Sequence, residues 1–132
     1  MSDDPIKIFI VDDEQGVCYY MGLALKREGF KIITAMDGPE AVDVYAKERP
    51  DLNIIDVDLG WSVIDGVEVL RRIKKINPDA ECVMVSRVTD EPYVVQSKEA
   101  GARHYILKPF ESDAWIKFVH KIAAEVRARR PR

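Results

Sequence analysis

The sequence IKIFIVDDE, residues 6–14, decides the fold. Its first part, Ile6 to Val11, is largely aliphatic and only as long as a strand, and such a run is typical of a strand buried in a parallel sheet. Three acids follow at once, Asp12, Asp13 and Glu14. The segment therefore predicts a buried strand with carboxylates at its carboxyl end.

Four further apolar runs of strand length follow, and a longer amphipathic stretch comes after each of the five runs. Apolar residues recur at helical spacing in these stretches, which stop at helix-ending residues such as Gly29 and Pro50. Crossovers of this length connect parallel strands and pack back on the sheet. The pattern predicts a doubly wound α/β domain, a five-stranded parallel sheet with five helices. The other predicted strands are Lys31 to Ala35, Leu52 to Ile55, Cys82 to Val85 and Tyr105 to Leu107.

The chain has 132 residues, which fit one domain with its own core. We assign residues 1–126 to this domain and residues 127–132 to a basic tail or the start of a linker, because the last six residues hold four arginines and no acid. The net charge is −3, so the domain without its tail is more acidic than the whole chain. An acidic surface repels phosphate backbones, and we expect no direct nucleic-acid binding by this domain.

The apolar runs are far shorter than the ~18 residues that suggest a membrane span, so we expect no membrane partner. Residues 1–5 include two acids and lack the basic and apolar stretches of a signal peptide. These features favour the cytoplasm. Cys18 and Cys82 have no metal or redox spacing, and we predict two reduced core residues.

Polar residues follow four of the five predicted strands. Asp12 and Asp13 follow the first, Asp56 the third, Ser86 the fourth and Lys108 the fifth. In doubly wound sheets, ligands bind beyond the carboxyl ends of the strands. We therefore expect these five side chains to converge on one site.

Three carboxylates in one place predict a cation site. Asp12, Asp13 and Asp56 would raise one another's pKa unless a cation neutralised them, and oxygen-only ligands suit Mg²⁺. Lys108 adds a positive charge and Ser86 a hydroxyl donor. Together with Mg²⁺ they would hold the oxygens of a phosphoryl group on Asp56, which predicts Asp56 as a nucleophile in phosphoryl transfer.

Three segments that carry these residues resemble one family when taken in order. They are IFIVDDE at residues 8–14, PDLNIID at 50–56 and AGARHYILKPF at 100–110. Over about residues 6–126 the chain resembles the response-regulator receiver domains of two-component signalling. The resemblance implies the flavodoxin-like strand order 2-1-3-4-5 and a phosphorylation-dependent signalling switch.

The resemblance also implies the role of each site residue. A sensor histidine kinase or phosphotransfer protein would donate a phosphoryl group to Asp56. Asp12 and Asp13 would hold Mg²⁺ directly or through water, helped by Asp56 and the main-chain carbonyl of Asp58. Lys108 would pair with the phosphoryl oxygens. The domain would catalyse its own phosphorylation and dephosphorylation without being a turnover enzyme on a metabolite.

The resemblance further implies a switch between this site and a distant face. Ser86 would move to hydrogen-bond the phosphoryl group, and Tyr105, three residues before Lys108, would rotate inward. The peptide bond between Lys108 and Pro109 would be cis. The output face would be the fourth helix, fifth strand and fifth helix, which would contact a downstream effector protein or domain and offer a surface for a homodimer through the fourth and fifth helices.

The loop after Asp56 departs from the family. Gly60 stands where receiver domains usually have a proline, and Gly66 comes ten residues after Asp56 instead of about eight. The loop is therefore longer by two residues, so Asp58 need not present its carbonyl as it does in the family. Trp61 is a candidate gate that covers the site, or else a surface anchor.

Arg87 is a second departure, because the family commonly has a small residue after the hydroxyl residue. As a second candidate gate, Arg87 would pair with Asp56 or Asp58 at rest, or crowd the path of the phosphoryl donor. We hypothesise that Arg87→Ala changes the phosphorylation rate with small donors.

Two other functions stay open. Residues 56–59 echo the DxDx start of haloacid-dehalogenase-like phosphatases, although that motif normally follows the first strand of its fold. The other alternative is a receiver-like interaction module that is independent of phosphorylation. A nucleotide or flavin site is not expected, because no glycine-rich phosphate loop follows the first strand.

Overall fold

The structure, a computed structural model, describes residues 4–87, 91–108 and 111–130. Strands and helices alternate through these residues. The strands are β1 (Lys7–Val11), β2 (Lys31–Ala35), β3 (Leu52–Asp56), β4 (Glu81–Ser86) and β5 (His104–Leu107). The helices are α1 (Gln15–Arg27), α2 (Gly38–Glu48), α3 (Gly66–Ile76), α4 (Glu91–Glu99) and α5 (Ser112–Ala128).

The five strands form one parallel sheet in the order β2-β1-β3-β4-β5. This confirms the predicted fold class and strand order. The register pairs Val11 with Ile55, Asp56 with Val85, and Ser86 with Leu107. The carboxyl ends of β1, β3, β4 and β5 therefore lie along one edge of the sheet, where the sequence places the candidate site.

An apolar cluster covers each face of the sheet. Alternate residues of β1 point to opposite faces, so Ile8 and Ile10 pack with α1 and α5, while Phe9 and Val11 pack with α2 and α3. Helices on both faces explain why the three central strands, β1, β3 and β4, are buried nearly along their whole length. The two predicted core cysteines are free and buried, Cys18 on the first face and Cys82 on the second.

Two helices that follow the sheet edge, α2 and α3, are capped by aspartate side chains. Asp37 accepts a hydrogen bond from the Glu40 backbone N–H before α2, and Asp65 accepts one from the Glu68 N–H before α3, each at 2.9 Å. These bonds satisfy N–H groups that the helix itself leaves without a partner. They fix where the β2–α2 and β3–α3 connections end, beside the candidate site.

The basic end of the chain contacts the opposite edge of the sheet. Helix α5 continues to Ala128, Arg129 donates to Glu81 at 2.7 Å, and Arg130 donates to Asp51 at 2.9 Å and to the Asp4 carbonyl at 2.7 Å. The boundary after residue 126 stays a prediction. Across the described ranges, none of the helices combines the length and the apolar character that a membrane crossing requires.

Candidate functional site

The structure brings together the polar residues that follow four strands. Asp12 follows β1, Asp56 and Ser86 are the last residues of β3 and β4, and Lys108 follows β5. Asp12, Asp56 and Ser86 are buried, whereas Asp13 is exposed. The site therefore has a buried floor and one acidic side chain toward the solvent.

Three carboxylates form the acidic part of the site. Asp12, Asp13 and Asp56 each offer an oxygen atom, and these atoms all lie within 4.8 Å of one another. Burial raises the pKa of Asp13, and the charge of Asp12 raises it further. The three carboxylates therefore repel one another unless a positive charge lies close to them.

Lys108 supplies positive charge from the other side. Its Nζ lies 2.6 Å from Asp12 Oδ2 and 2.8 Å from Asp56 Oδ2, and its backbone N–H donates to the Ser86 carbonyl at 2.7 Å. Burial lowers the pKa of the lysine, but the hydrogen bonds to Asp12 and Asp56 outweigh burial and raise it. Lys108 is therefore a fixed ammonium group.

Burial dominates the ionisation of Asp56. It raises the pKa of this carboxyl to about 6, although the hydrogen bond from Lys108 acts in the opposite direction. Only 8% of the residue is exposed. At neutral pH the side chain is still mostly ionised, as a nucleophile must be.

Asp12 and Asp56 use their two oxygens in the same way. Oδ1 of Asp12 accepts from the Glu14 backbone N–H and Oδ1 of Asp56 from the Asp58 N–H, each at 2.9 Å. Oδ2 of each carboxylate accepts from Lys108. Each carboxylate is thus fixed by its own loop and by one lysine that bridges them.

The donor set fits a hard divalent cation. It consists of carboxylate oxygens, and the described residues offer only Asp12, Asp13 and Asp56 as a group of three or more ligating side chains. A few carboxylates with room for water are typical of Mg²⁺. Asp58, the fourth predicted metal residue, instead accepts a hydrogen bond from the Gly60 N–H at 2.9 Å through its side chain. The role predicted for its main-chain carbonyl stays a prediction.

The two predicted switch residues lie near Lys108 along the sheet. Ser86 is almost fully buried at the end of β4, and Tyr105 is half-buried in β5 against the cluster on the α2 and α3 face. Their movement stays a prediction. Pro109, and with it the predicted cis bond, lies outside the described residues.

Arg87 does not pair as hypothesised. Its guanidinium lies 2.9 Å from Glu14 Oε1 and not on Asp56 or Asp58. Both side chains of this pair are largely exposed, and Glu14 directly precedes α1. The exposed carboxylate of Glu14 costs less to approach than the buried Asp56, which Lys108 already neutralises.

The side chain of Trp61 is fully exposed and does not pack on the carboxylates, although Trp61 and Asp13 line the same open cavity. The loop that carries Trp61 is folded by the Ser62 Oγ, which accepts from the Gly38 N–H at 2.8 Å, and by the Gly66 N–H, which donates to the Val57 carbonyl at 2.9 Å. Of the two alternatives, this geometry favours the surface anchor. A gating role for Trp61 and Arg87 stays a prediction.

Gly66 is a site residue for which the sequence analysis predicted no role beyond the loop length. A Cβ at this position would collide with the backbone carbonyl of Asp56. The first turn of α3 therefore packs directly on the residue that carries the nucleophile. A glycine at the start of an amphipathic stretch does not by itself predict such a contact, since Gly16 stands at the start of α1 with no atom within 4 Å of its missing Cβ.

An open cavity of about 700 Å³ adjoins the site between α1 and α5. Its lining is largely apolar, with residues such as Val17, Tyr20 and Trp115, but it also includes Lys108 and Arg87. A largely apolar surface therefore adjoins Lys108 on the side of α1 and α5.

Comparisons with known proteins agree with this geometry. The family model for the response regulator receiver domain matches residues 8–120. Sporulation initiation phosphotransferase F of Bacillus subtilis (strain 168) is 34% identical over 107 residues, which cover 81% of this chain and 85% of that protein. Chemotaxis protein CheY of the same organism is 31% identical over 116 residues, 87% of this chain and 95% of that protein.

Solved structures share the fold over nearly the whole chain. A CheY-like response regulator receiver domain protein from Methanospirillum hungatei JF-1 matches with a TM-score of 0.88 at 25% identity, covering 96% of this chain and 99% of that one. The receiver domain of NtrX from Brucella abortus matches with a TM-score of 0.80 at 32% identity, covering 89% of this chain and 98% of that one.

Receiver domains of this kind belong to phosphorylation-dependent response regulators of two-component systems. They generally bind Mg²⁺ at an acidic cluster and interact with histidine kinases or phosphotransfer proteins and with effector domains. The family model covers well over half of the residues, and the three acids and the lysine lie together at the carboxyl ends of the strands. The chain belongs to the response regulator receiver domain family.

Proposed function

We propose that Asp56 accepts a phosphoryl group from the phosphohistidine of a sensor histidine kinase or phosphotransfer protein. The observation that carries the proposal is the contact of one ammonium, that of Lys108, with both Asp12 and Asp56 at 2.6 and 2.8 Å. A carboxylate beside a fixed cation and two further acids is arranged for charge neutralisation during phosphoryl transfer.

In the transfer, an oxygen of Asp56 attacks phosphorus and forms a P–O bond. The P–N bond of the donor breaks, and its electron pair stays on the imidazole nitrogen. Lys108, whose ammonium lies beside Asp56 Oδ2, stabilises the charge on the phosphoryl oxygens. The product is an acyl phosphate on Asp56, which adds charge at the edge of the sheet.

Asp12, Asp13 and Asp56 are the residues that would hold Mg²⁺, together with the main-chain carbonyl of Asp58. When bound, the ion supplies positive charge that neutralises the carboxylates and the oxygens in transfer. Asp12 and Asp56 are already fixed by backbone N–H groups, so two of the three side chains need little rearrangement.

Ser86 and Tyr105 carry the signal away from the site in this proposal. The Ser86 hydroxyl, at the end of β4, hydrogen-bonds the phosphoryl group, and Tyr105 moves inward on the neighbouring strand β5. The face formed by α4, β5 and α5 then binds an effector protein or a second copy of the domain. The apolar cavity beside Lys108 supports a protein as the donor.

Intact mass after incubation with acetyl phosphate and Mg²⁺ tests the proposal. We expect one phosphoryl adduct that requires Mg²⁺, is removed by hydroxylamine and is absent from Asp56→Asn. Asp79→Asn, an exposed acid before β4 at the far edge of the sheet, is the matched control and should form the adduct.

Other outcomes would favour the alternatives. A wild-type protein that forms no adduct with acetyl phosphate or with a phosphorylated kinase core would support the phosphorylation-independent module. Continuous release of phosphate from simple phosphate esters would support the phosphatase. No contact in the described residues favours either function over the receiver.

A further inference from the structure

The backbone of Gly60 passes against the side chain of Asp13. A Cβ built on Gly60 would lie 2.5 Å from Asp13 Oδ2 and 3.5 Å from Asp13 Cγ. The distance to Oδ2 is far below van der Waals separation, whereas the distance to Cγ is an ordinary contact. The absence of a side chain at residue 60 is thus what leaves room for the Asp13 carboxylate in its present position.

We infer that Gly60 is a positioning residue for Asp13 and sets the affinity of the three-carboxylate site for a divalent cation. The inference rests on the proposed function, in which this site holds Mg²⁺. It concerns a residue that neither ligates the ion nor touches the phosphoryl group. Its effect passes through one contact, the one between Gly60 and the Asp13 carboxylate.

The backbone conformation of Gly60 is one that favours glycine. Its φ is +56°, in the left-handed region that glycine adopts at little cost. Proline, the usual residue at this position in the receiver sequences that this chain resembles, has φ fixed near −65° and cannot adopt this turn. The chain therefore turns beside Asp13 in a conformation that proline cannot adopt.

Hydrogen bonds connect Gly60 to the nucleophile on one side. The Asp58 backbone N–H donates to Asp56 Oδ1, and the Asp58 carboxylate accepts from the Gly60 N–H, each at 2.9 Å. Leu59, between them, is buried in the core. The turn at Gly60 is thus connected through Asp58 to the Asp56 carboxylate, which the proposed reaction uses.

The other side of the loop is held by the β2–α2 connection. The Gly38 N–H donates to Ser62 Oγ at 2.8 Å, and Ile64 occupies the space where a Gly38 side chain would lie. A substituent at Gly60 could move the loop only by disturbing these contacts. Asp13 is exposed, and the atom nearest the substituent is the far end of its side chain.

The cheaper response to a side chain at position 60 is therefore rotation of the Asp13 carboxylate. Such a rotation costs the fold little and takes one ligand away from Asp12 and Asp56. We expect a loss of cation affinity without a matching loss of stability. Groups that orient metal ligands typically contribute about 10- to 100-fold to metal affinity. Because the substitution disturbs a single contact, we expect a loss near the lower end of this range.

Titration with Mg²⁺ alone by isothermal calorimetry tests the inference, with thermal unfolding in EDTA as the measure of the fold. Gly60→Asn is the main variant, because asparagine tolerates the left-handed region while adding the Cβ. We expect the Kd for Mg²⁺ to rise about tenfold. Gly29→Asn is the matched control, since Gly29 also has positive φ, at +94°, but no neighbour within 4 Å. Its Kd should stay at the wild-type value.

A double-mutant comparison separates positioning from general damage to the loop. If Gly60 acts through Asp13, then Gly60→Asn should have no further effect on the Kd in an Asp13→Asn protein. Additive losses would overturn the inference. A wild-type Kd in Gly60→Asn would overturn it too, while leaving the proposed function intact.

A second pair of variants covers the case in which Gly60→Asn fails to fold. Asp58→Ala removes the acceptor for the Gly60 N–H, whereas Asp58→Asn keeps an acceptor, and both remove the same charge. We expect weaker Mg²⁺ binding in Asp58→Ala than in Asp58→Asn, and equal Kd values would count against the inference. A wild-type protein without any Mg²⁺ binding would overturn the proposed metal site, and the inference with it.

Discussion

The ammonium of Lys108 lies 2.8 Å from the carboxylate of Asp56, although the strands that carry them, β5 and β3, are not neighbours in the sheet. Strand β4 lies between them, so the long lysine side chain crosses its end. Asp12 shares the same ammonium at 2.6 Å. One lysine thus neutralises two buried carboxylates that come from separate strands.

Removal of this lysine should destabilise the domain. In Lys108→Met two buried carboxylates lose their cation, and the breaking of a buried pair costs about 3 to 5 kcal/mol. We expect the free energy of unfolding in urea, at pH 7.5 with EDTA, to fall by about 3 kcal/mol. Lys117→Met, an exposed lysine of α5, is the control and should change little. Equal stability of the two variants would show that Lys108 is not the main counter-charge.

The raised pKa of Asp56 gives stability a definite pH dependence. Burial holds this pKa at about 6 in the folded state against an ordinary value of 3.8. Between about pH 4 and 6 the folded protein therefore binds more protons than the unfolded chain, and stability must fall as pH rises through this window.

Asp56→Asn should lack this decrease, because the amide does not titrate. The measurement is the difference in unfolding free energy between wild type and Asp56→Asn at pH 4, 5, 6 and 7 with EDTA. The difference should change in favour of the variant with rising pH and level off above about pH 6. A difference that is constant with pH would contradict the raised pKa.

Arg87 should matter through its charge and not as a gate. Its pair with Glu14 is exposed, at 69% and 46% of the two side chains, and exposed pairs contribute at most about 1 kcal/mol. We expect Arg87→Ala to slow phosphorylation by acetyl phosphate modestly at low salt, since it removes a cation that attracts an anionic donor. Salt should abolish the effect. A faster rate in the variant would instead identify Arg87 as an obstacle to the donor.

Trp61 should not limit access of small donors. Its side chain is fully exposed, so Trp61→Ala removes no packing. We expect the acetyl phosphate rate of wild type, and a stability within about 0.5 kcal/mol of it. The rate is measured by stopping the reaction and determining the fraction of phosphorylated protein by mass. An increase in rate would revive the gating role.

The convergence of Asp12, Asp56 and Lys108 could be predicted from the sequence because the repeated pattern of strand and helix predicts parallel strands, while the strand order followed from the family resemblance. The carboxyl ends of parallel strands meet at one edge, whatever the loops do. Ser86 followed from the same rule. Nothing in this step depended on a side-chain conformation.

The partner of Arg87 and the direction of Trp61 could not be predicted, because each depends on how a loop folds. Two additional residues after Asp56 permit many loop conformations. The observed one depends on the Ser62 hydroxyl oxygen, which accepts a hydrogen bond from the Gly38 N–H. The C-terminal arginines are similar. Arg130 reaches Asp51 because α5 ends at the edge of the sheet opposite the site. Sequence order alone does not show that these two residues lie close together.

Two glycines at helix starts offer a test of how tightly the site is packed. Gly66 begins α3, and a Cβ there would meet the Asp56 carbonyl, a backbone atom that cannot rotate away. Gly16 occupies the first turn of α1 and has no atom within 4 Å of its missing Cβ. Alanine should therefore have opposite effects at the two positions.

We expect Gly66→Ala to lower the free energy of unfolding by more than about 2 kcal/mol, as overpacking against fixed atoms does. Gly16→Ala should raise it by about 0.4 to 1 kcal/mol, because alanine restricts the unfolded chain and suits a helix. Urea unfolding of both variants measures the difference. If Gly66→Ala were as stable as wild type, α3 would be free to move away from Asp56. The backbone of Asp56 would then be held less tightly by α3 than its contact with Gly66 implies.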